Sequence, residues 1–203
     1  MQKSTLLIRL ICLHSLQKHA KKQIQMINKR KITAESAMRD GTILGCLWTV
    51  TFALSIVMLN MLVKGQGMIL TLAVLATTLM SPFVAYKLAA KHRDNERDGA
   101  MTFGEAWTYI AVMYLCAILL SAIAQYVYYA FINPDAFSDL SAQFAAFAVN
   151  NGMDEASIRM FTDAFDTMGR QSTGEMLLST ITGHLSRDLI IAAILALIVK
   201  KNP

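Results

Sequence analysis

The chain has 203 residues, of which 55% are hydrophobic and only 16% are charged, and its formal net charge is +5. Charged residues make up about a quarter of an average soluble domain, so this composition excludes an ordinary water-soluble protein and indicates a single membrane domain. The basic residues flank long apolar stretches, where they contact anionic lipid headgroups, and we therefore expect membrane lipid rather than nucleic acid as a partner.

Residues 1–40 form a basic segment before the first long apolar stretch. Apolar residues recur at helical spacing between Leu6 and Ile27, which predicts a cationic amphipathic helix lying on the membrane surface. A disordered basic tail is an alternative interpretation, and a third is that the native protein starts at Met26. A signal peptide is not expected, because Arg9 interrupts the apolar patch and no small-residue cleavage site follows it.

Four apolar stretches follow, and each has about 23 to 26 residues, more than the roughly 20 that a helix needs to cross the hydrocarbon core of a bilayer. Backbone polar groups find no water in that core, so these stretches must be helical. The predicted spans are Gly41–Val63, Met68–Ala90, Ala106–Phe131 and Met176–Val199. The expected fold class is therefore all-α, with a bundle of four transmembrane helices in one membrane domain over residues 41–203.

Short sequence signals mark the ends of these spans. Residues 64–67 contain two glycines and permit only a tight turn, so the first two spans are predicted to be antiparallel neighbours. Thr102 and Glu105 form a T-x-x-E pattern, which predicts a capping box at the start of the third span. We therefore expect a structural role for Glu105 rather than a catalytic one. Gly41 and Gly45 form a GxxxG pattern, which permits close contact between helices.

The link of residues 132–173 is too polar to span and too long to be a simple loop, and it is predicted to form a helical hairpin. Asn133 is expected to cap the first arm, with Pro134 at its first position and Asp135 at its positive end. Asp154 is expected to cap the second arm. Each arm has one apolar face that can pack on the other arm or on the bilayer. These faces contain Phe137, Leu140, Phe144 and Phe147 in the first arm, and Ile158, Phe161, Phe165 and Met168 in the second.

Basic residues alternate between the two sides of the predicted bundle. They are frequent before the first span, between the second and third spans, and at the end of the chain, but rare in the other two links. The positive-inside rule therefore predicts that both termini and the second link are cytoplasmic. The helical hairpin is then extracytoplasmic, which in a bacterium is the periplasmic side of the inner membrane.

The fourth span differs from the others because Arg187 and Asp188 lie near its middle, about 20 Å from the lysines that end it. Ionisable residues inside a membrane are functional candidates by default. His184 precedes them by three and four positions, within reach of either, and Gln125 is the expected partner from the third span. One interpretation is a proton, ion or anionic-ligand site. The other, which we favour because one small cluster is little for a transporter, is a buried pair that locks the helices together.

No catalytic or metal-binding pattern is present in the sequence. It lacks the HExxH, GxSxG, P-loop and Rossmann patterns, so we expect no enzymatic activity and no cofactor. Cys12, Cys46 and Cys116 are far apart, which indicates neither a zinc site nor a disulfide framework and favours packing roles. The acidic residues of the hairpin lack EF-hand spacing, so we expect a solvated face there rather than a metal site.

Three runs of residues resemble a bacterial membrane protein family catalogued as domain of unknown function 4199. They are Arg93-Asp94, Gly99–Ala106 (GAMTFGEA) and Phe131–Phe137 (FINPDAF). The resemblance extends roughly from Arg39 to Lys201 and includes the two-helix link before a final span that ends in lysines. It implies a small four-span inner-membrane protein without an assigned activity. The basic N-terminal segment departs from the usual form of the family.

These observations favour an integral protein of the bacterial inner membrane that is not an enzyme. We expect it to act through protein or lipid partners in the cell envelope, or as a homo-oligomer. The alternative function is a small transporter or channel component that uses His184, Arg187 and Asp188 of the fourth span.

Overall fold

The computed structural model describes residues 2–62 and 66–201, with side chains except at 2–16, 19, 22, 25, 26 and 28–30. The described chain is all-α, as predicted, and its only extended pairing is an isolated bridge between Met101 and Lys201. A π-helical turn, Tyr128–Ile132, continues the third helix. The helices are α1 (Gln2–Leu62), α2 (Met68–Glu96), α3 (Phe103–Val127), α4 (Ala136–Asn150), α5 (Glu155–Arg170) and α6 (Thr173–Val199).

Four helical segments are long and apolar enough to cross a membrane, which confirms the four predicted apolar helices. The first predicted span ends at Val63, which lies outside the described residues. The backbone of α1 is helical from Gln2 onward, so the basic N-terminal segment is continuous with the first span. The position of that segment on the membrane surface stays a prediction. The four segments are Lys31–Leu62, Met68–Glu96, Phe103–Ile132 and Thr173–Val199.

Helix α3 is the centre of the membrane-spanning region. It packs against α1 and against α6, whereas α2 lies mainly against α1 and touches α6 and α3 only lightly. In the most apolar part of α3, 39% of the residues are buried, compared with 6% in α2. The many exposed apolar side chains of α2 suit a helix that faces lipid, where apolar surface costs nothing.

The GxxxG pattern lies where α1 and α3 approach most closely. A Cβ atom added to Gly41 would lie 2.6 Å from the carbonyl oxygen of Met113, and one added to Gly45 would lie 3.1 Å from Ala117 Cα. A side chain at Gly41 would therefore require the α3 backbone to move. The two glycines allow helix contact in the way the sequence predicted, because only a missing Cβ lets two backbones come this close.

The buried core occupies one half of the membrane-spanning region, which we call the basic end. It comprises residues 36–45 of α1, 81–96 of α2, 103–118 of α3 with the two residues before it, and 188–199 of α6 with the two residues after it. The residues that remain of α1 (46–62), α2 (68–80) and α6 (173–187) form the open half, and none of these is buried. Many core residues are small, including Ala85, Ala89, Ala117, Ala192 and Ala196. The helices are thus tightly packed at one end and separated at the other.

Helices α4 and α5 pack against each other through aromatic side chains of their predicted apolar faces. The ring of Phe144 lies 5.1 Å from that of Phe161 and 6.2 Å from that of Phe165. Asp154 caps α5 as predicted, since its side chain accepts a hydrogen bond from the Ser157 N–H. Hydrogen bonds from Ser157 also hold the pKa of Asp154 below its usual value, because they stabilise the ionised carboxylate.

The predicted cap of α4 is wrong. The helix begins at Ala136, and Asp135 occupies the N-cap position without a side-chain hydrogen bond. Asn133 instead ends the preceding π-helical turn, because its N–H donates to the carbonyl oxygen of Tyr128. Pro134 then lies in the turn closed by the Ala136 N–H and the Asn133 carbonyl, which suits its fixed φ angle.

Candidate ligand site between the membrane-spanning helices

A partly open cleft of about 400 Å³ lies between all four membrane-spanning helices. Small-molecule sites in proteins usually have volumes of about 300 to 1,000 Å³, with apolar walls and a few polar groups. This cleft has that character, since aromatic and aliphatic side chains alternate with hydroxyl groups along its walls. Its charged group comes from α6, in the form of Arg187, Asp188 and the adjacent His184.

The α6 residues of the cleft lie far from either end of the helix. Asp188 is about 18 Å along the helix axis from Lys200 and about 24 Å from Ser172. The hydrocarbon core of a bilayer is about 30 Å thick, so a helix that crosses it carries Asp188 near mid-depth. Charged groups at this depth are costly unless they are paired or hydrated.

Arg187 and Asp188 form an ion pair although they are adjacent in sequence. Arg187 Nε donates to Asp188 Oδ1 at 2.9 Å, and Asp188 is only 2% exposed. The Arg187 side chain is 56% exposed and lines the cleft. The buried carboxylate thus holds one edge of the guanidinium, while the rest of that group faces the cleft.

The position of His184 fixes its protonation in this arrangement. Arg187 Nη2 lies 2.7 Å from His184 Nδ1, and a guanidinium can only donate hydrogen bonds. Nδ1 must therefore accept, so the imidazole is neutral and carries its proton on Nε2. Asp188 Oδ2 lies 3.5 Å from the same nitrogen, but it finds no donor there and is buried without a hydrogen bond. The pair His184–Asp188 becomes an ion pair only when the imidazole is protonated.

Aromatic side chains form the wall opposite α6. The indole of Trp48 lies 5.4 Å from the His184 ring and 5.9 Å from the Tyr114 ring. Its N–H donates to Ser81 Oγ at 2.7 Å, which links α1 to α2 across the cleft. Since an indole buries a large apolar area and offers one donor, Trp48 suits an amphipathic ligand as well as a structural contact.

The structure brings all four residues of the predicted intramembrane site to one cleft. His184, Arg187 and Asp188 contact one another, and Gln125 lines the same cleft from α3, where it donates to Ser121 Oγ at 3.2 Å. No hydrogen bond joins Gln125 to the α6 residues in the described chain. Sequence reasoning did not find Trp48, because one tryptophan inside a long apolar stretch gives no sign of the direction in which it points.

A second buried polar cluster lies at the basic end, and the sequence did not reveal it. Asp40 of α1 is 4% exposed and accepts hydrogen bonds from Tyr109 Oη at 2.5 Å and from Arg39 Nε at 3.2 Å. The His92 ring stacks on the Tyr109 ring with a centroid separation of 4.1 Å. Both oxygens of the Asp40 carboxylate therefore have donors, and the cluster joins α1, α2 and α3.

Glu96 extends this cluster toward the surface. It accepts hydrogen bonds from Ser36 Oγ at 2.5 Å and from Arg39 at 3.4 Å, and His92 Nδ1 lies 3.0 Å from it. Both ring nitrogens of His92 are buried without a hydrogen bond, and the Nδ1–Glu96 contact becomes an ion pair only when the imidazole is protonated. Because it joins three helices through side-chain contacts at the packed basic end, we assign this cluster a structural role.

The predicted capping pair of α3 also lies at the basic end. The Thr102 N–H donates to Glu105 Oε2 at 3.0 Å, and the Glu105 N–H donates to Thr102 Oγ1 at 3.4 Å, which completes the capping box. Glu105 further forms an ion pair with the buried Arg97 at 3.3 Å. Among the described residues, no group of three or more His, Cys, Asp or Glu side chains has the arrangement of a metal site.

The sequence model of a family described as "Protein of unknown function (DUF4199)" matches residues 39–201. The matched part contains the cleft, the cluster at the basic end except Ser36, and helices α4 and α5. No curated protein matches the chain, and no solved structure matches it. The cleft is therefore interpreted from its own chemistry.

Proposed function

The chain belongs to this family of proteins of unknown function (DUF4199), and we propose that it is a multi-pass membrane protein that binds an amphipathic small molecule in the cleft. The observation that supports this function is a cleft of about 400 Å³ with apolar walls and an exposed guanidinium near the middle of the spans. A lipid or a lipid-like metabolite, rather than a protein, is then the partner of the site. Enzymatic activity forms no part of the proposal.

The lining of the cleft favours an amphipathic ligand over a purely polar one. Three of its hydroxyl groups already donate to their own helix: Thr51 to the Leu47 carbonyl, Ser55 to the Thr51 carbonyl and Thr78 to the Val74 carbonyl. Such hydroxyls offer little to a sugar or a nucleotide, which need many donors and acceptors. Arg187 carries the cationic donors among the described lining residues, so a ligand with one polar head and an apolar body matches the site.

Filling the cleft tests this function directly. We expect purified protein to retain a lipid or added decanol in native mass spectrometry, and we expect Ser55→Trp to abolish retention because the indole occupies the cleft. Val57→Trp is the matched control, since Val57 lies on the same helix but is exposed outside the cleft. Equal retention by the wild type, Ser55→Trp and Val57→Trp would contradict the proposal.

We also propose an orientation, based on the distribution of basic residues. The basic end and both termini lie in the cytoplasm of a bacterium, and helices α4 and α5 form an extracytoplasmic hairpin beyond the inner membrane. Alkaline phosphatase joined after Asn151 is expected to be active, and the same enzyme joined after Arg97 is expected to be inactive. The opposite pattern would reverse the orientation without affecting ligand binding.

Transport of the ligand is the second candidate function, and the depth of the cleft favours it. A site that all four spans form near mid-depth is the position from which a carrier releases its substrate to either side. Flux of a solute or of protons into liposomes that depends on Asp188 would support this candidate. Binding without flux would limit the function to ligand sequestration or sensing.

A further inference from the structure

Resting on the proposed function, we infer that the ligand carries an anionic head group that pairs with Arg187, and that one proton enters the His184–Asp188 pair when it binds. The chemistry of the head is a carboxylate, phosphate or sulfonate on an apolar chain. The inference follows from three features of the α6 cluster. Arg187 has free N–H donors, Asp188 Oδ2 has no donor, and His184 Nδ1 lies close to both of these residues.

Arg187 has donors left over for an anion. Its Nε is committed to Asp188 and its Nη2 to His184, while Nη1 makes no hydrogen bond to any residue that the structure describes. A guanidinium presents five N–H donors in a planar fork that fits a carboxylate or a phosphate with two parallel bonds. The exposed part of this fork faces the cleft, so an anionic head can reach it from there.

Binding of an anion alone would leave the site with an unbalanced charge. Before binding, Arg187 and Asp188 neutralise each other and His184 is neutral, so the net charge is zero. An added anion makes the net charge −1 in a region of low dielectric, where unbalanced charge is strongly unfavourable. The buried carboxylate of Asp188 and the anionic head group of the ligand would then compete for one cation, the Arg187 guanidinium.

A proton from solvent restores the balance at His184 Nδ1. Protonation removes the lone pair that accepts from Arg187 Nη2, so that contact breaks and Nη2 becomes available to the anion. The new Nδ1–H points to the region of Asp188 Oδ2, now 3.5 Å away and without a donor. The final charges are +1 on Arg187, +1 on His184, −1 on Asp188 and −1 on the ligand, which again sum to zero.

The other helices around the cleft supply no competing proton acceptor among the described residues. Helix α3 contributes Tyr114, whose phenol is already protonated at neutral pH, together with the neutral Gln125. The lining residues of α1 and α2 are aromatic, aliphatic or hydroxylic, and none of them titrates. The proton that accompanies an anion is therefore taken up by the α6 pair.

A permanently charged amphiphile gives the cleanest test, because any pH dependence then belongs to the protein. We choose decanesulfonate as the anion and decanol as its neutral control, with full-length protein in a nonionic detergent. Trp48 reports binding in a Trp107→Phe background, since the chain has 2 tryptophans. Dilauroylphosphatidylglycerol, also permanently charged, separates a membrane lipid from a free amphiphile as the source of the head group.

We expect decanesulfonate to bind more tightly as the pH falls from about 8 to about 6, by up to about tenfold per pH unit, with about one proton taken up per bound anion. Asp188→Asn should retain binding but remove both the pH dependence and the proton uptake, because no carboxylate remains to be neutralised. Arg187→Gln should lose decanesulfonate and keep decanol. Ser186→Ala, an exposed neighbour on α6 outside the cleft, should behave as the wild type.

The possible outcomes separate the inference from the function on which it rests. Binding of decanesulfonate without proton uptake, or equal affinity for decanol, would overturn the inference and leave the proposed function intact. Failure of all three amphiphiles to bind would overturn both. If Asp188→Asn does not fold, proton uptake by the wild type still decides the question, since it needs no variant.

Discussion

Two Arg-Asp pairs of adjacent residues lie in the two polar clusters of this protein, and their surroundings differ in one respect. In both pairs, Arg Nε donates to Asp Oδ1, at 3.2 Å for Arg39–Asp40 and at 2.9 Å for Arg187–Asp188. In both, the aspartate is buried and the arginine is more than half exposed. At Asp40 the second oxygen has a donor in Tyr109, whereas at Asp188 the second oxygen has none.

The difference indicates which pair serves structure and which serves binding. A carboxylate with donors on both oxygens rigidifies its surroundings, because every change of partner costs a hydrogen bond. A buried oxygen without a donor is expensive and rare in native proteins, and it calls for a separate explanation. The Asp40 pair lies in the packed basic end, and the Asp188 pair lies beside the cleft. Packing and hydrogen bonding therefore both assign the Asp40 pair to structure and the Asp188 pair to binding.

The largest effect is expected from removal of the Asp40 carboxylate. Asp40→Ala leaves the Tyr109 hydroxyl and the Arg39 side chain without their shared acceptor at the junction of α1 and α3. A buried hydroxyl left without an acceptor costs about 1 to 3 kcal/mol, and the space vacated by the carboxylate at this packed position adds to that cost. The midpoint temperature of thermal unfolding in detergent should therefore fall strongly. A shift no larger than that of an exposed control, Asp163→Ala, would refute the structural role of this pair.

A smaller loss is expected where α1 and α3 touch. Gly41→Ala places a methyl group 2.6 Å from the Met113 carbonyl oxygen, so the helices must separate. Overpacking of this kind costs about 1 to 3 kcal/mol. Gly183→Ala is the matched control, because a Cβ at that helical position meets nothing within 4 Å. The control should unfold at or above the wild-type temperature. If Gly41→Ala also does so, α1 and α3 are not in the close backbone contact that we describe at Gly41.

Removal of a single hydroxyl should have a more limited effect. Tyr109→Phe keeps the ring that stacks on His92 and removes only the donor to Asp40 Oδ2. A hydrogen bond to a charged group contributes about 1.5 to 3 kcal/mol, and Arg39 continues to hold the other oxygen. The thermal shift should be smaller than that of Asp40→Ala. If both variants unfold alike, the Tyr109 hydroxyl and not Arg39 holds the carboxylate.

The sequence predicted the membrane-spanning helices and the α6 cluster, but it did not predict the cluster around Asp40. Arg187 and Asp188 are conspicuous because charges are rare inside an apolar stretch. Asp40 and His92 lie at the ends of spans, where many polar residues face water, and a sequence does not say which of them turns inward. Asp40 directly precedes Gly41, where α1 approaches α3 closely, and this contact between the two helices brings it to Tyr109.

The wrong cap at Asn133 has a similar cause. The residues Asn-Pro-Asp are typical of a helix start, and local preference alone predicts the cap there. The preceding helix, however, continues through a π-helical turn, and the carbonyl oxygen of Tyr128, the first residue of that turn, accepts the Asn133 N–H. A local signal was overridden because the end of one helix and the start of the next compete for the same residues.

The smallest effect, and the most discriminating one, is expected at Asp188. In Asp188→Asn the amide oxygen can still accept from Arg187 Nε, and the amide N–H₂ replaces the orphaned Oδ2, so that two lone pairs no longer face each other between Asp188 and His184 Nδ1. The variant satisfies a position that the wild type leaves open, so its stability should stay within about 0.5 kcal/mol of the wild type or exceed it. Asp40→Asn should be clearly less stable than the wild type, because an amide has one accepting oxygen where the carboxylate has two, so Tyr109 Oη and Arg39 Nε can no longer both donate to it. Both variants are to be unfolded by heat in the same detergent. Equal destabilisation would mean that the two carboxylates are held alike, and the contrast between a structural pair and a binding pair would be lost.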